Sequence, residues 1–172
     1  MRHQFLLLPV AAIVAAQPAV AQSMIGVEQS QARMFPGATF AQNFITLTDP
    51  QFDTISKKSQ VKIWGKEVKA WKVSTGGWYI LDRSLARDSF ITFAVALDPD
   101  GTVLGVEVLQ CDAHYDVSNA AWLKQFRDKK HDDLNLPAEI RNISGSSLSS
   151  DAVKDGVKRL LVTYDVLLAS AR

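Results

Sequence analysis

A chain of 172 residues, 47% hydrophobic and 22% charged, has the composition of one globular domain with a sizeable core. Its formal charge of +1 removes the electrostatic case for a nucleic-acid partner. A single cysteine, Cys111, excludes an intrachain disulfide, a Cys-x-x-Cys-His haem attachment and a cysteine-ligated iron–sulfur cluster, so redox work would need an organic cofactor or a single metal.

The N-terminus reads as a secretory signal peptide over residues 1–21. Met1-Arg2-His3-Gln4 is a short basic start, residues 5–16 are an apolar run broken by Pro9, and Ala19-Val20-Ala21 offers a small-x-small site with cleavage after Ala21. The run is too short and interrupted for a good membrane span. Cleavage removes Arg2 and no acid, leaving 18 basic against 18 acidic residues in a neutral domain over 22–172.

Within that domain, residues 27–34 are weakly helical, Phe35-Pro36-Gly37-Ala38 must turn, and 51–58 suits a short helix after Asp49-Pro50. Val61 and Ile63, then Val68 and Ala70, fit short strands around a turn at Gly65. Gly76-Gly77 separates strands at 68–74 and 78–82. Residues 89–110 form a β-hairpin, because two β-branched and aromatic runs flank Pro99-Asp100-Gly101, where proline fixes φ and glycine supplies a positive one. A short helix follows over 119–126, with Ser118 as its N-cap. The mixed charge run 128–133 reads as a solvated loop. The last helix, from about Asp151 to Ala169, carries Val153, Val157, Leu160, Leu161, Tyr164, Leu167 and Leu168 on one stripe and places Lys154, Lys158 and Arg159 on the wet side. These elements predict one α+β domain, an antiparallel sheet packed against helices with a long C-terminal helix.

Directly before that helix lies Ile143-Ser144-Gly145-Ser146-Ser147-Leu148-Ser149-Ser150-Asp151. A helix start has backbone N–H groups without intrahelical partners and a partial positive charge, which together suit a phosphate. Small residues let an anion approach and hydroxyls add donors. On residue chemistry alone the plainer reading is that Ser149 or Ser150 is an N-cap.

Three blocks in order carry a resemblance: Asp100-Gly101-Thr102-Val103-Leu104-Gly105-Val106-Glu107-Val108-Leu109, then Trp122-Leu123-Lys124-Gln125-Phe126, then the serine stretch. Over residues 88–168 the chain resembles the FMN-binding domain family, found in flavin-carrying subunits of Na+-translocating quinone reductases and Rnf complexes and in small secreted relatives. The resemblance implies FMN bound near Ser144, Gly145, Ser146, Ser147, Leu148 and Ser149, with its phosphate esterified to Ser147 by a flavin transferase. It also implies Trp122 beside the ring, Asp112 and Tyr115 lining the slot, and a periplasmic electron carrier between a membrane-bound reductase and a redox partner, not a stand-alone enzyme. The chain departs from the family pattern at Arg141, where relatives carry an Asp, at Ser146 for Ala, at Ser147 for Thr, and in lacking glycine over 114–117. Those departures support a second reading, a domain that holds FMN loosely or acts as an interaction module of a redox complex.

Other chemistries fit less well. Gly145-Ser146-Ser147 is not a Gly-x-Ser-x-Gly elbow and no His/Asp partners sit at recognisable places. Asp112, His114 and Asp116, or His131 with Asp132 and Asp133, lack a ligand spacing that specifies a metal geometry.

Overall fold

The computed structural model describes residues 25–111, 117–135 and 139–170. The elements run α1 (Val27–Met34), β1 (Phe40–Thr46), α2 (Asp49–Ser59), β2 (Glu67–Val73), β3 (Trp78–Ala86), β4 (Ser89–Leu97), β5 (Val103–Cys111), α3 (Ala120–Leu123) and α4 (Ser147–Thr163). The five strands form one antiparallel sheet in sequence order. The expected α+β architecture and the long C-terminal helix are present.

The sheet buries both faces. On one, Ile80, Phe93, Val95, Val106 and Val108 meet Val153, Val157, Leu160 and Leu161 of α4, with Ile55 of α2 completing the core. On the other, Trp71, Val73, Tyr79, Ala94, Ala96 and Leu109 meet Phe35 just past the end of α1, with Met34 and Val27 packed around them. The central strands therefore read as nearly continuous apolar runs, as strands covered on both sides should. Burial pushes the Tyr79 hydroxyl up to about 12, with Ser30 pulling it partly back.

The expected 89–110 hairpin is β4–β5, with Asp98 Oδ1 accepting from the backbone N–H groups of Asp100 and Thr102 at 3.0 and 2.9 Å to close its turn. Helix α2 opens on a reciprocal capping box between Thr48 and Gln51 and starts at Asp49, two residues before the expected start. Two expectations fail here. Val61 and Ile63 are not in a strand, and β1, an edge strand that exposes alternate residues, was not foreseen. Within the charge run, Asp132–Asn135 forms a 3-10 turn instead of open loop.

The sheet is forked. β1 and β2 pair over seven positions and β3 and β4 over nine, but β2 meets β3 only at Lys69–Lys72 against Trp78–Leu81. Beyond that point, among the described residues, Asp82–Ala86 has no strand beside it on the β2 side. Arg159 of α4 reaches into the gap from the helix side. Its Nε and Nη2 donate to Asp82 Oδ2 at 3.0 and 2.6 Å, its Nη1 to the Lys62 carbonyl at 2.8 Å, and its Nη2 also to the Arg83 carbonyl at 3.0 Å. Arg159 is thus 3% exposed and not on the wet side of the helix. The guanidinium supplies one β3 carbonyl, that of Arg83, with a donor at the fork, and the Asp82 carboxylate supplies the counter-charge a buried cation needs to be tolerated.

Candidate functional site

The serine stretch folds as a turn and a helix start. Ser144 and Gly145 make the turn, Gly145 at φ +78°, and the Ser146 N–H donates to the Ile143 carbonyl at 3.0 Å. Helix α4 begins at Ser147, with Ser146 as N-cap, so the expectation that Ser149 or Ser150 caps the helix is corrected. Those two are buried in its first turn. Ser150 Oγ is turned back to accept from the Ile143 N–H at 3.2 Å, which fixes the chain entering the turn and takes that hydroxyl out of capping.

What remains at the helix end is open. Among the described residues the Ser146 side chain makes no capping bond, the first turn holds no carboxylate, and the N–H groups of Ser147, Leu148 and Ser149 have no carbonyl a turn behind them. Ser144, Gly145, Ser147 and Leu148 are exposed. A Cβ built on Gly145 would meet nothing within 4 Å. Leu148, 61% exposed, and Phe44 are the large apolar side chains left to solvent among the described residues. Asp151, one turn on, brings a negative charge. Partial burial would raise its pKa, but hydrogen bonds from Lys154 and Asn142 and the Lys154 charge outweigh that and hold it below the ordinary carboxylate value. Its charge is offset locally by Lys154 at 2.7 Å. An anion with three or four acceptor oxygens fits this donor set.

The Trp122–Phe126 block explains how the turn is held. α3 is capped by Asn119, not Ser118: Asn119 Oδ1 accepts from the Ala121 and Trp122 N–H groups at 2.9 and 3.1 Å. The helix then tightens to a 3-10 turn over Lys124–Phe126. Trp122 is 6% exposed, sets its ring edge-to-face with Phe126, and donates its indole N–H to the Arg141 carbonyl at 2.6 Å. Gln125 grips the same residue twice, its Oε1 accepting from the Arg141 N–H at 2.9 Å and its Nε2 donating to the Arg141 carbonyl at 3.3 Å. Two side chains three residues apart therefore clamp the backbone of one residue, Arg141, on both sides of its Cα, three residues ahead of Ser144. Trp122 is placed to position the turn from the core, with Arg141 exposed above it. The clamp was not foreseen from sequence, although the Trp-x-x-Gln spacing, which puts both side chains on one helical face, was its signal.

Of the other residues expected at a flavin slot, Asp112 and Tyr115 lie outside the described residues, as does His114. His131 pairs with Asp132 at 3.5 Å, and no cluster of three metal-ligating side chains occurs among the described residues.

Residues 88–162 match the FMN-binding domain family. The FMN-binding match begins one residue before β4 and ends one before the last residue of α4, so it takes in the hairpin, the clamp and the serine turn. The matched region is thus similar to that family, and the open helix start lies within it, with donors that suit a phosphate. α1, α2 and β1–β3 fall outside the match. No curated protein matches the chain.

Proposed function

We propose that the protein is an exported electron-transfer flavoprotein in which FMN is esterified through its phosphate to Ser147. The observation that carries this reading is an exposed serine hydroxyl at the first position of a 17-residue helix whose opening N–H groups are unclaimed, inside the FMN-binding match. Gly145 shapes the turn, the N–H groups of Ser147, Leu148 and Ser149 donate to phosphate oxygens, and Trp122 and Gln125 hold the approach rigid through Arg141. Leu148 offers apolar surface next to the attachment point. The flavin, when bound, supplies the one- or two-electron chemistry, while the chain supplies position and electrostatics. Export rests on the N-terminal signal pattern, which puts the carrier in the periplasm between a membrane-bound reductase and its redox partner, with a flavin transferase to install the cofactor.

The test is to produce the chain in a host that exports it and has a flavin transferase, denature it, and weigh it. The expected result is a fluorescent band whose mass has risen by one FMN less one water, localised to the Ser144–Ser150 peptide, and lost in Ser147→Ala with the fold unchanged. A denaturation-resistant flavin in Ser147→Ala would sink the assignment. Arg141, exposed where relatives carry an acid, favours a second reading in which FMN is held by charge alone; there the flavin copurifies with the native chain and leaves on denaturation.

A further inference from the structure

The fork between β2 and β3 is also a cavity, of about 430 Å³, lying against the C-terminal half of α4. Its apolar wall includes Ile55, Ile63, Trp64 and Leu160, and its polar lining includes Lys69, Arg83 and the buried Arg159. Arg159 stands twelve residues from Ser147, about 18 Å along the helix axis at 1.5 Å per residue. The cavity is therefore separate from the serine turn.

We propose that this cavity binds a small amphiphilic anion: a carboxylate or sulfonate on an aliphatic or aromatic body. The charges decide the sign. Asp82 is spent, since Oδ2 takes two Arg159 bonds and Oδ1 accepts from the Arg83 N–H at 2.7 Å. Lys66 is paired with Asp49. That leaves Lys69 and Arg83 without a carboxylate partner among the described residues, against Glu67 alone. Arg159 contributes a further donor: Nη1 uses one of its two hydrogens on the Lys62 carbonyl, and the second has no described acceptor although the residue is almost wholly buried. Two lining residues, Trp64 and Arg83, sit in cation–ring pairs beside the cavity: Lys62 Nζ lies 4.2 Å from the Trp64 ring centre, Arg83 4.6 Å from that of Phe90, and the two rings are edge-to-face at 5.6 Å. The setting is basic as a whole: residues 49–87 hold eight Lys and Arg against four Asp and Glu, whereas 88–172 hold nine against thirteen. An apolar hollow with a few convergent cationic donors is what a ligand of this class requires.

Octanoate and its neutral analogue octanol distinguish the headgroup from the tail. Calorimetry on the mature chain should find one saturable octanoate site, with octanol weaker by about tenfold because it forgoes the charge-assisted bonds. Lys69→Ala and Arg83→Ala, both exposed and so harmless to folding, should each weaken octanoate by about threefold, leave octanol unchanged, and Glu67→Gln should tighten octanoate by about twofold. Ser147→Ala should alter none of this, so that failure here and failure of the flavin assignment are told apart. No saturable octanoate heat, equal affinity for octanol, or indifference to the Lys69 and Arg83 changes would overturn the proposal.

Discussion

The two ends of α4 are built to opposite rules. At its start, Gly145 stands in open space, the N-cap side chain caps nothing, and a serine hydroxyl and a leucine face solvent. From its middle onward, a Cβ on Gly156 would lie 2.3 Å from Phe93 Cζ and 2.5 Å from Ser84 Oγ, and the buried Arg159 stitches the helix to a fork in the sheet. One helix thus has an end held to the core and an end left free, so that the free end can carry a bulky group at no cost in packing. The rigidity of the free end comes from beneath it, through the Trp122 and Gln125 grip on Arg141.

The sharpest way to break the contrast is at Gly156. Gly156→Ala gains helix propensity of about 1 kcal/mol, but its methyl must displace the fully buried Phe93 ring and the Ser84 hydroxyl, and overpacking of that kind costs about 3 kcal/mol or more. A net loss of about 2 kcal/mol or more is therefore expected in chemical denaturation. Adding Phe93→Leu should recover part of it, a non-additive pair of the sort that contact predicts. A neutral Gly156→Ala would mean that α4 does not press on the sheet as closely as this.

Arg159→Met asks about the same end by charge. The flexible thioether fills much of the volume, yet Asp82 loses both bonds to Oδ2 and the Lys62 and Arg83 carbonyls lose their donor. Breaking a buried pair costs 3–5 kcal/mol as an order of magnitude; Asp82 keeps a quarter of its side-chain surface exposed, so about 2–3 kcal/mol is expected by denaturation. Arg159→Met with Asp82→Asn should be the less damaged of the two, since the unpaired charge is then gone.

What the sequence disclosed follows the same division. The β4–β5 hairpin was legible because its information is local: alternation, two apolar runs and a Pro-Asp-Gly turn between them. The α4 stripe was legible for the same reason, since spacing alone assigns a face. Arg159 was misread because nothing within the helix says that a fork 75 to 77 residues away in sequence needs a donor. β1 escaped notice because an edge strand with one alternating, half-covered face gives a weak pattern. At the serine turn, Ser149 and Ser150 are equally good caps by local chemistry, yet the helix starts ahead of both, and Ser150 Oγ turns back to accept from the Ile143 N–H. The resemblance singled out Trp122; only the fold shows that it and Gln125 hold Arg141 ahead of the serine turn.

Gly145 offers the mildest and most discriminating change. Its φ of +78° lies in the left-handed region, where an ordinary L-residue pays about 1 kcal/mol or slightly more, and no neighbouring atom adds to that. Gly145→Ala should therefore cost about 1 kcal/mol, and Gly145→Asn less, because a short amide side chain adopts that conformation most readily. At Gly156 the order must reverse: asparagine is bulkier and a poorer helix former, so it should be worse than alanine there. The two glycines are thus separated by the sign of the Ala-to-Asn difference, which does not depend on the absolute stability of the protein. Were Gly145→Asn to prove more damaging than Gly145→Ala, space and not backbone strain would be limiting at the turn, and the turn would be too crowded to seat a phosphate.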